Sequence, residues 1–238
     1  MIVCQLSKHS YFINYTLKEY YSQVKGRTDN IYDLIDLSPD VTERCPLCGG
    51  YNCAKFIRYY HRGVIDEEGT YYKAFPISRF LCRRRGNPIV KHRTFSLLPY
   101  QLVPYTKYSI PFIIKTLKLA YVEGNSIKKL QDYLAGFHEH QYIDLSRSSF
   151  YGFKAFILKS IDKMLASGYH QEAEGKLQEP HPNKRIRAFI EFAEEFISDK
   201  VNPSIRGPCA LGYDFYIRSG GYLSNGYFLF GTPSQFRT

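Results

Sequence analysis

The chain has 238 residues, 44% of them hydrophobic and 23% charged. That excludes a disordered or fibrous polymer and is enough for one large domain or two small ones with a sizeable core. No stretch approaches the roughly 20 apolar residues of a membrane span, and the opening MIVCQLSKHSYF already carries Lys8 and His9. A soluble cytoplasmic protein without a secretory leader is therefore expected.

Read in chain order, the sequence predicts an α+β fold in four parts: 1–44, 45–104, 105–166 and 167–238. Residues 1–44 hold one helix, because apolar and aromatic residues recur at helical spacing in YFINYTLKEYYSQV, and Gly26 stops it. This helix reads as an arm packed on the rest. Residues 45–104 open with turn chemistry, CPLCGGYNC. Two β-type runs follow, KFIRYYHRGV and YYKAFPISRFLC, with DEEG as the turn of a hairpin.

Residues 105–166 read as helices. Ser109 caps the first, with Ile113, Ile114, Leu117, Ala120 and Tyr121 on its apolar face and Gly124 after its end. Ser126 opens a second, with Ile127, Leu130 and Leu134. Ser146 caps a third, where Leu145 and Phe150 are placed as a hydrophobic staple. Its face continues through Phe153, Ile157, Leu158, Ile161 and Met164. In 167–238 a polar linker, EGKLQEPHPNK, precedes an amphipathic helix, RIRAFIEFAEEFISDK, with Ile186, Phe189, Ile190, Ala193, Phe196 and Ile197 on one side. The closing SGGYLSNGYFLFGTPSQFRT reads as a packed hairpin or a loose tail.

The net charge of +10 is localised. From Gly69 to Val122 there is no Asp or Glu, while Lys73, Arg79, Arg83, Arg84, Arg85, Lys91, Arg93, Lys107, Lys115 and Lys118 all fall there. Outside this window Lys and Arg balance the 22 acids of the chain. A basic surface of this kind attracts polyanions, nucleic acid first. Arg83, Arg84 and Arg85 stand out as phosphate contacts, with Lys91 and Arg93 behind them, because no acid lies nearby in sequence.

Six cysteines in a chain of this length and class argue for metal over disulfides. CPLCGG suits a metal knuckle: two sulfurs reach one ion from a tight turn, and glycine permits the positive φ that such a turn needs. A redox pair would open a helix in a βαβ context, which is not what flanks it. Structural Zn2+ takes four ligands. Cys45 and Cys48 supply two and Cys82, ending the second strand, the third. His92 is the leading fourth, with Cys53 and His61 as rivals. Cys4 and Cys209 read as buried small side chains.

CPLCGG, then Arg-Phe-Leu-Cys closing a strand, then Arg93-Thr94-Phe95-Ser96-Leu97-Leu98-Pro99, resembles the zinc-ribbon region of bacterial insertion-sequence transposases and related mobile-element proteins. GNSIKKLQDYL and LSRSSFYGFKAFI resemble the helix-turn-helix of such proteins. The resemblance covers about residues 45–166. It implies a structural zinc and DNA as partner. It also implies a transposase or second copy as further partner, and a bacterial, nucleoid-associated location. In that reading the helix after Ser146 is the DNA reader, offering Arg147, Ser148, Ser149, Tyr151 and Lys154.

No catalysis is expected. A transposase needs three carboxylates on a core of about 100 residues or more. Glu191, Glu194, Glu195 and Asp199 read instead as the solvated face of one helix, and His138-Glu139-His140 lacks the i, i+4 spacing of a helical zinc site. A zinc-dependent module for protein or RNA is the other reading. Some of the 22 tyrosines would then stack on unpaired bases.

Overall fold

In the computed structural model, the described residues are 10–13, 16–24, 45, 48, 50–84, 94–103, 106–136, 145–169, 175–199, 201, 205–218 and 229. They form strands β1 (Ser10–Ile13), β2 (Ala54–Ile65), β3 (Tyr71–Cys82) and β4 (Thr94–Pro99). The helices are α1 (Leu17–Val24), α2 (Ile110–Tyr121), α3 (Ile127–Gly136), α4 (Arg147–Ala166), α5 (Pro182–Glu195) and α6 (Gly207–Arg218). The class is α+β. The sheet order is β1-β4-β3-β2, so the hairpin's first strand is an edge.

The hairpin turns at DEEG, as its composition predicts. Asp66 organises the turn: its Oδ1 accepts from the backbone N–H groups of Glu68 and Thr70, at 3.0 and 2.8 Å, and its Oδ2 from the Tyr72 hydroxyl. Gly69 supplies the positive φ, 82°. Two irregularities interrupt the ladder, and they have opposite sense. Near the turn, Lys73 and Ala74 oppose the single residue Gly63; further on, Ile57 is extra on β2. They offset, so the strand ends meet with Ala54 opposite Cys82. Gly63 is required by close approach: a β-carbon there would stand 2.7 Å from the Tyr71 hydroxyl.

Two further strands lie where no strand is expected from periodicity. TFSLLP pairs antiparallel with β3, from Ser78↔Leu97 to Leu81↔Thr94. Residues 10–13, expected to be helical, instead pair parallel with β4, and the helix starts only at Leu17. Its start is a capping box: Thr16 Oγ1 accepts from the Glu19 N–H and Glu19 Oε2 from the Thr16 N–H. This helix is a packing arm. Leu17, Tyr20 and Val24 are buried in the sheet's core with Phe75, Ile77, Phe95 and Leu97. The Tyr20 hydroxyl accepts from the Ser78 N–H, and burial raises its pKa far above the usual phenol value.

The second core is helical. Among the described helices, α2 packs against α3, α4, α5 and α6. The predicted caps form: Ser109 Oγ accepts from the Phe112 N–H and Ser146 Oγ from the Ser149 N–H. Leu145 and Phe150 are buried in the same cluster. The α5 face buries Ile186, Phe189, Ile190 and Ala193, but the helix ends at Glu195 and Ile197 is 65% exposed rather than on the apolar side. The stretch after Asn202 contains α6, a helix the Gly- and Tyr-rich composition conceals. Its Leu211 and Phe215 enter the helical core, and Tyr216 enters the sheet's. Of the closing segment only Leu229 lies among the described residues. It is buried, and its carbonyl accepts from Ser160 Oγ. Among the described residues no helix is long and apolar enough to cross a membrane.

Candidate metal centre and the basic end of the hairpin

The hairpin's open end carries the cysteines. The N–H of Cys45 bonds the Gly50 carbonyl and the N–H of Cys48 bonds the Cys45 carbonyl, which folds the knuckle. Asn52, at φ 53°, provides the left-handed residue that returns the chain to β2. The N–H of Arg83 bonds the carbonyl of Cys53, so the ladder's last bond places Cys53 beside Cys82.

Four sulfurs converge there: Cys45, Cys48, Cys53 and Cys82 lie within 4.8 Å of one another. Cys48 Sγ stands 3.2 Å from Cys53 Sγ and 3.5 Å from Cys82 Sγ, and Cys53 and Cys82 are 4.0 Å apart. Tetrahedral bonds of about 2.3 Å to one ion require sulfurs about 3.8 Å apart, so the set fits a four-thiolate site. Among the described residues it is the one group of three or more Cys, His, Asp or Glu close enough to share an ion.

Cys45, Cys48 and Cys82 are thus brought together as the spacing predicts, and Cys53 supplies the fourth sulfur. His92 lies outside the described residues. His61, the other rival, sits on β2 opposite Pro76, roughly 26 Å along the strand from Cys53 at about 3.3 Å per residue. Burial opposes ionisation of Cys48. The Gly50 backbone hydrogen bond and the neighbouring thiols outweigh it and bring its pKa down to about 7, while burial pushes that of Cys53 up. Of the cysteines read as packing residues, Cys209 is buried and its pKa is raised by burial, and Cys4 lies outside the described residues.

The predicted phosphate contacts divide. Arg83 and Arg84 are exposed directly beyond Cys82. The Arg84 guanidinium crosses Gly50, with Nη1 2.9 Å from the point a β-carbon would occupy and Cys48 Sγ 3.4 Å from that point. Arg85, Lys91 and Arg93 lie outside the described residues. The hairpin is electrically polar along its length: residues 45–84 carry acids only at Asp66, Glu67 and Glu68, in the turn. Glu68 is paired there with Lys18. The two ends are roughly 36–40 Å apart for 12-residue strands.

The residues expected on a reader helix occupy the start of α4, which belongs to the helical core. Arg147 and Ser148 are exposed, and Tyr151 is 57% exposed. Ser148 and Ser149 both bond Ser146 Oγ. Lys154 is engaged within the protein, donating to Asn183 Oδ1 at 2.9 Å and lying over the Tyr121 ring. Of the acids read as a solvated face, Glu191 pairs with Arg187, Glu194 with Lys118 and Asp199 with Arg218. His138 and His140 lie outside the described residues. Comparison with protein-family models, with curated proteins and with solved structures finds no match for this chain.

Proposed function

We propose that this chain is a DNA-binding protein whose sheet end is held together by a structural zinc ion. The observation that carries the reading is the coincidence of two features at one end of one hairpin: a complete four-sulfur site and a basic segment without acids. Zinc is the ion because soft thiolates in a closed tetrahedral set suit Zn2+ and leave no open position for chemistry. Cys45, Cys48, Cys53 and Cys82 hold it. Bound there, the ion ties the knuckle to the end of the hairpin and adds its binding free energy to the fold.

The bases beyond Cys82 then sit on phosphates, and affinity falls steeply with salt as counterions are released. The likeness of CPLCGG and RTFSLLP to insertion-sequence transposases supports a role beside a mobile element, with cutting and joining supplied by a partner protein. The α4 residues Arg147, Ser148 and Tyr151 are the proposed base readers, since they are exposed at a capped helix start. Duplex binding across a salt series, with metal content measured on the same sample, tests the proposal. One zinc per chain with a steep salt dependence supports it. Zinc without nucleic-acid binding replaces it with a protein-interaction module, and iron in place of zinc overturns the identity of the ion.

A further inference from the structure

The edge strand β2 carries its bases in an arrangement that a regular strand could not produce. Lys55 and Arg58 are three residues apart, so regular alternation would send them to opposite faces of the sheet. The extra residue Ile57 changes this. Lys55 pairs with Leu81 and Arg58 with Arg79, neighbours on β3 two residues apart, so the two bases share one face. Ile57 is left 43% exposed as a result. Arg79, on the same face, is buried and donates to Thr94 Oγ1.

The stripe runs toward the knuckle. Beyond Lys55 the chain reaches Tyr51, 62% exposed, beside Gly50 and the overlying Arg84. A planar ring and a planar guanidinium therefore stand at the tip, with two aligned bases behind them. The nearest acids in this hairpin are at the far turn. An exposed ring offers a duplex little, because paired bases present no free face along the helix. Unpaired bases stack on such a ring whatever their identity, while lysine and arginine follow the backbone.

We infer that the exposed side chains of the edge strand β2 and the knuckle tip bind a single strand of DNA. Tyr51 stacks on an unpaired base, and Lys55, Arg58, Arg83 and Arg84 contact its phosphates. This rests on the proposed DNA-binding function and names the strand state of the DNA at this end of the molecule. The protein would take hold where a duplex is open or ends.

The test is a titration of the zinc-loaded full chain against a labelled thymidine homopolymer and against a mixed-sequence duplex of the same length, over a salt series. Tyr51→Ala, Tyr51→Phe and the double variant Lys55→Gln, Arg58→Gln are measured alongside, each with its metal content. Expected is preference for the single strand. Tyr51→Ala weakens it about tenfold with the salt slope unchanged, while Tyr51→Phe retains binding. The double variant lowers the salt slope by about 1.4, at roughly 0.7 per contact on a single strand. Preference for the duplex, or a metal-loaded Tyr51→Ala that binds the homopolymer like the unaltered protein, overturns this inference and leaves duplex binding standing. Absence of binding to both overturns it together with the proposed function.

Discussion

Replacing Cys53 with serine separates the four-sulfur site from the alternative in which a histidine closes it. A serine hydroxyl at that position stays protonated near neutrality, so the site falls to three thiolates and the ion loses one of four strong bonds. Structural zinc in small domains is bound by about 10–16 kcal/mol. A quarter of that is about 3 kcal/mol, or more than a hundredfold in dissociation constant. The geometry admits no ready substitute among the described residues, since His61 is roughly two dozen ångströms away along β2. Stability contributed by the ion falls as RT ln(1 + [Zn]/Kd), so at free zinc well above both constants the melting curve should drop by the same ~3 kcal/mol. Competition against a graded chelator measures the affinity, and Co2+ substitution reports the loss of a thiolate through its charge-transfer band. The reasoning is refuted if Cys53→Ser keeps the affinity of the parent while His92→Ala loses it.

Three further expectations concern the frame around the site. Gly63→Ala places a β-carbon against the Tyr71 ring, 2.7 Å from its hydroxyl. Because the ring is half-buried and can swing, the cost should be about 1–2 kcal/mol in denaturant unfolding and should vanish in a Tyr71→Ala background. Asp214 is fully buried and accepts hydrogen bonds from Tyr169, Ser198 and Arg218, tying α6 to the ends of α4 and α5. Asp214→Ala removes the shared acceptor of two hydroxyls, whereas Arg218 is half-exposed and can turn to water. About 2–3 kcal/mol is expected, with Asp214→Asn milder. Lys163 has its pKa lowered by burial, and by Lys159, to about 8. The unfolded chain binds that proton up to about pH 10.4, so between pH 8 and 10 this lysine's own contribution to stability rises with pH. Cys53 and Cys209, whose thiols burial keeps protonated in the fold, contribute the opposite slope over the same range. The lysine's share is read as a difference: from pH 7 to 10 the unfolding free energy of the parent should rise relative to that of Lys163→Met. Above pH 10 Tyr20 and Tyr169, whose pKa values burial raises, keep their protons only when folded and lower stability further.

Three of the four sulfurs were legible because a knuckle is local: Cys45 and Cys48 announce themselves by spacing, and Cys82 by closing a strand. Cys53 was visible only as a rival, since its role depends on register. The signal that could have singled it out is strand length. The two strands flanking DEEG are equally long, so the first residue of one meets the last of the other, which sets Cys53 at the level of Cys82. The bulges obscure this, but they are opposite in sense and cancel. Helix starts at Ser109 and Ser146 were equally local and equally legible. The pairing of residues 10–13 with 96–99 was not, because a parallel contact across more than 80 positions leaves no trace in local periodicity. Tertiary pairing there overrides a helical pattern. The helix α6 was hidden for a different reason: GPCALGYDFYIR has two glycines and a proline, and its apolar residues face two cores at once.

The metal and the basic charge at the hairpin end pull in opposite directions, which makes their relation testable. Without metal, burial keeps the Cys53 thiol protonated near pH 7, and Cys48, whose pKa is about 7, is only partly ionised. With Zn2+ bound, four thiolates and one divalent cation leave a net charge of −2 and release protons. Loading the site therefore makes the end that meets phosphate more negative. If attraction were only a matter of net charge, the metal-free protein would bind nucleic acid more tightly and with a steeper salt dependence. If the ion's role is to fix the knuckle so that Tyr51, Lys55, Arg58, Arg83 and Arg84 act together, the loaded protein binds more tightly despite the lower charge. Titrations of both forms at one ionic strength decide between the two. Tighter binding by the metal-free form would reduce the four cysteines to a feature of the fold with no part in recognition.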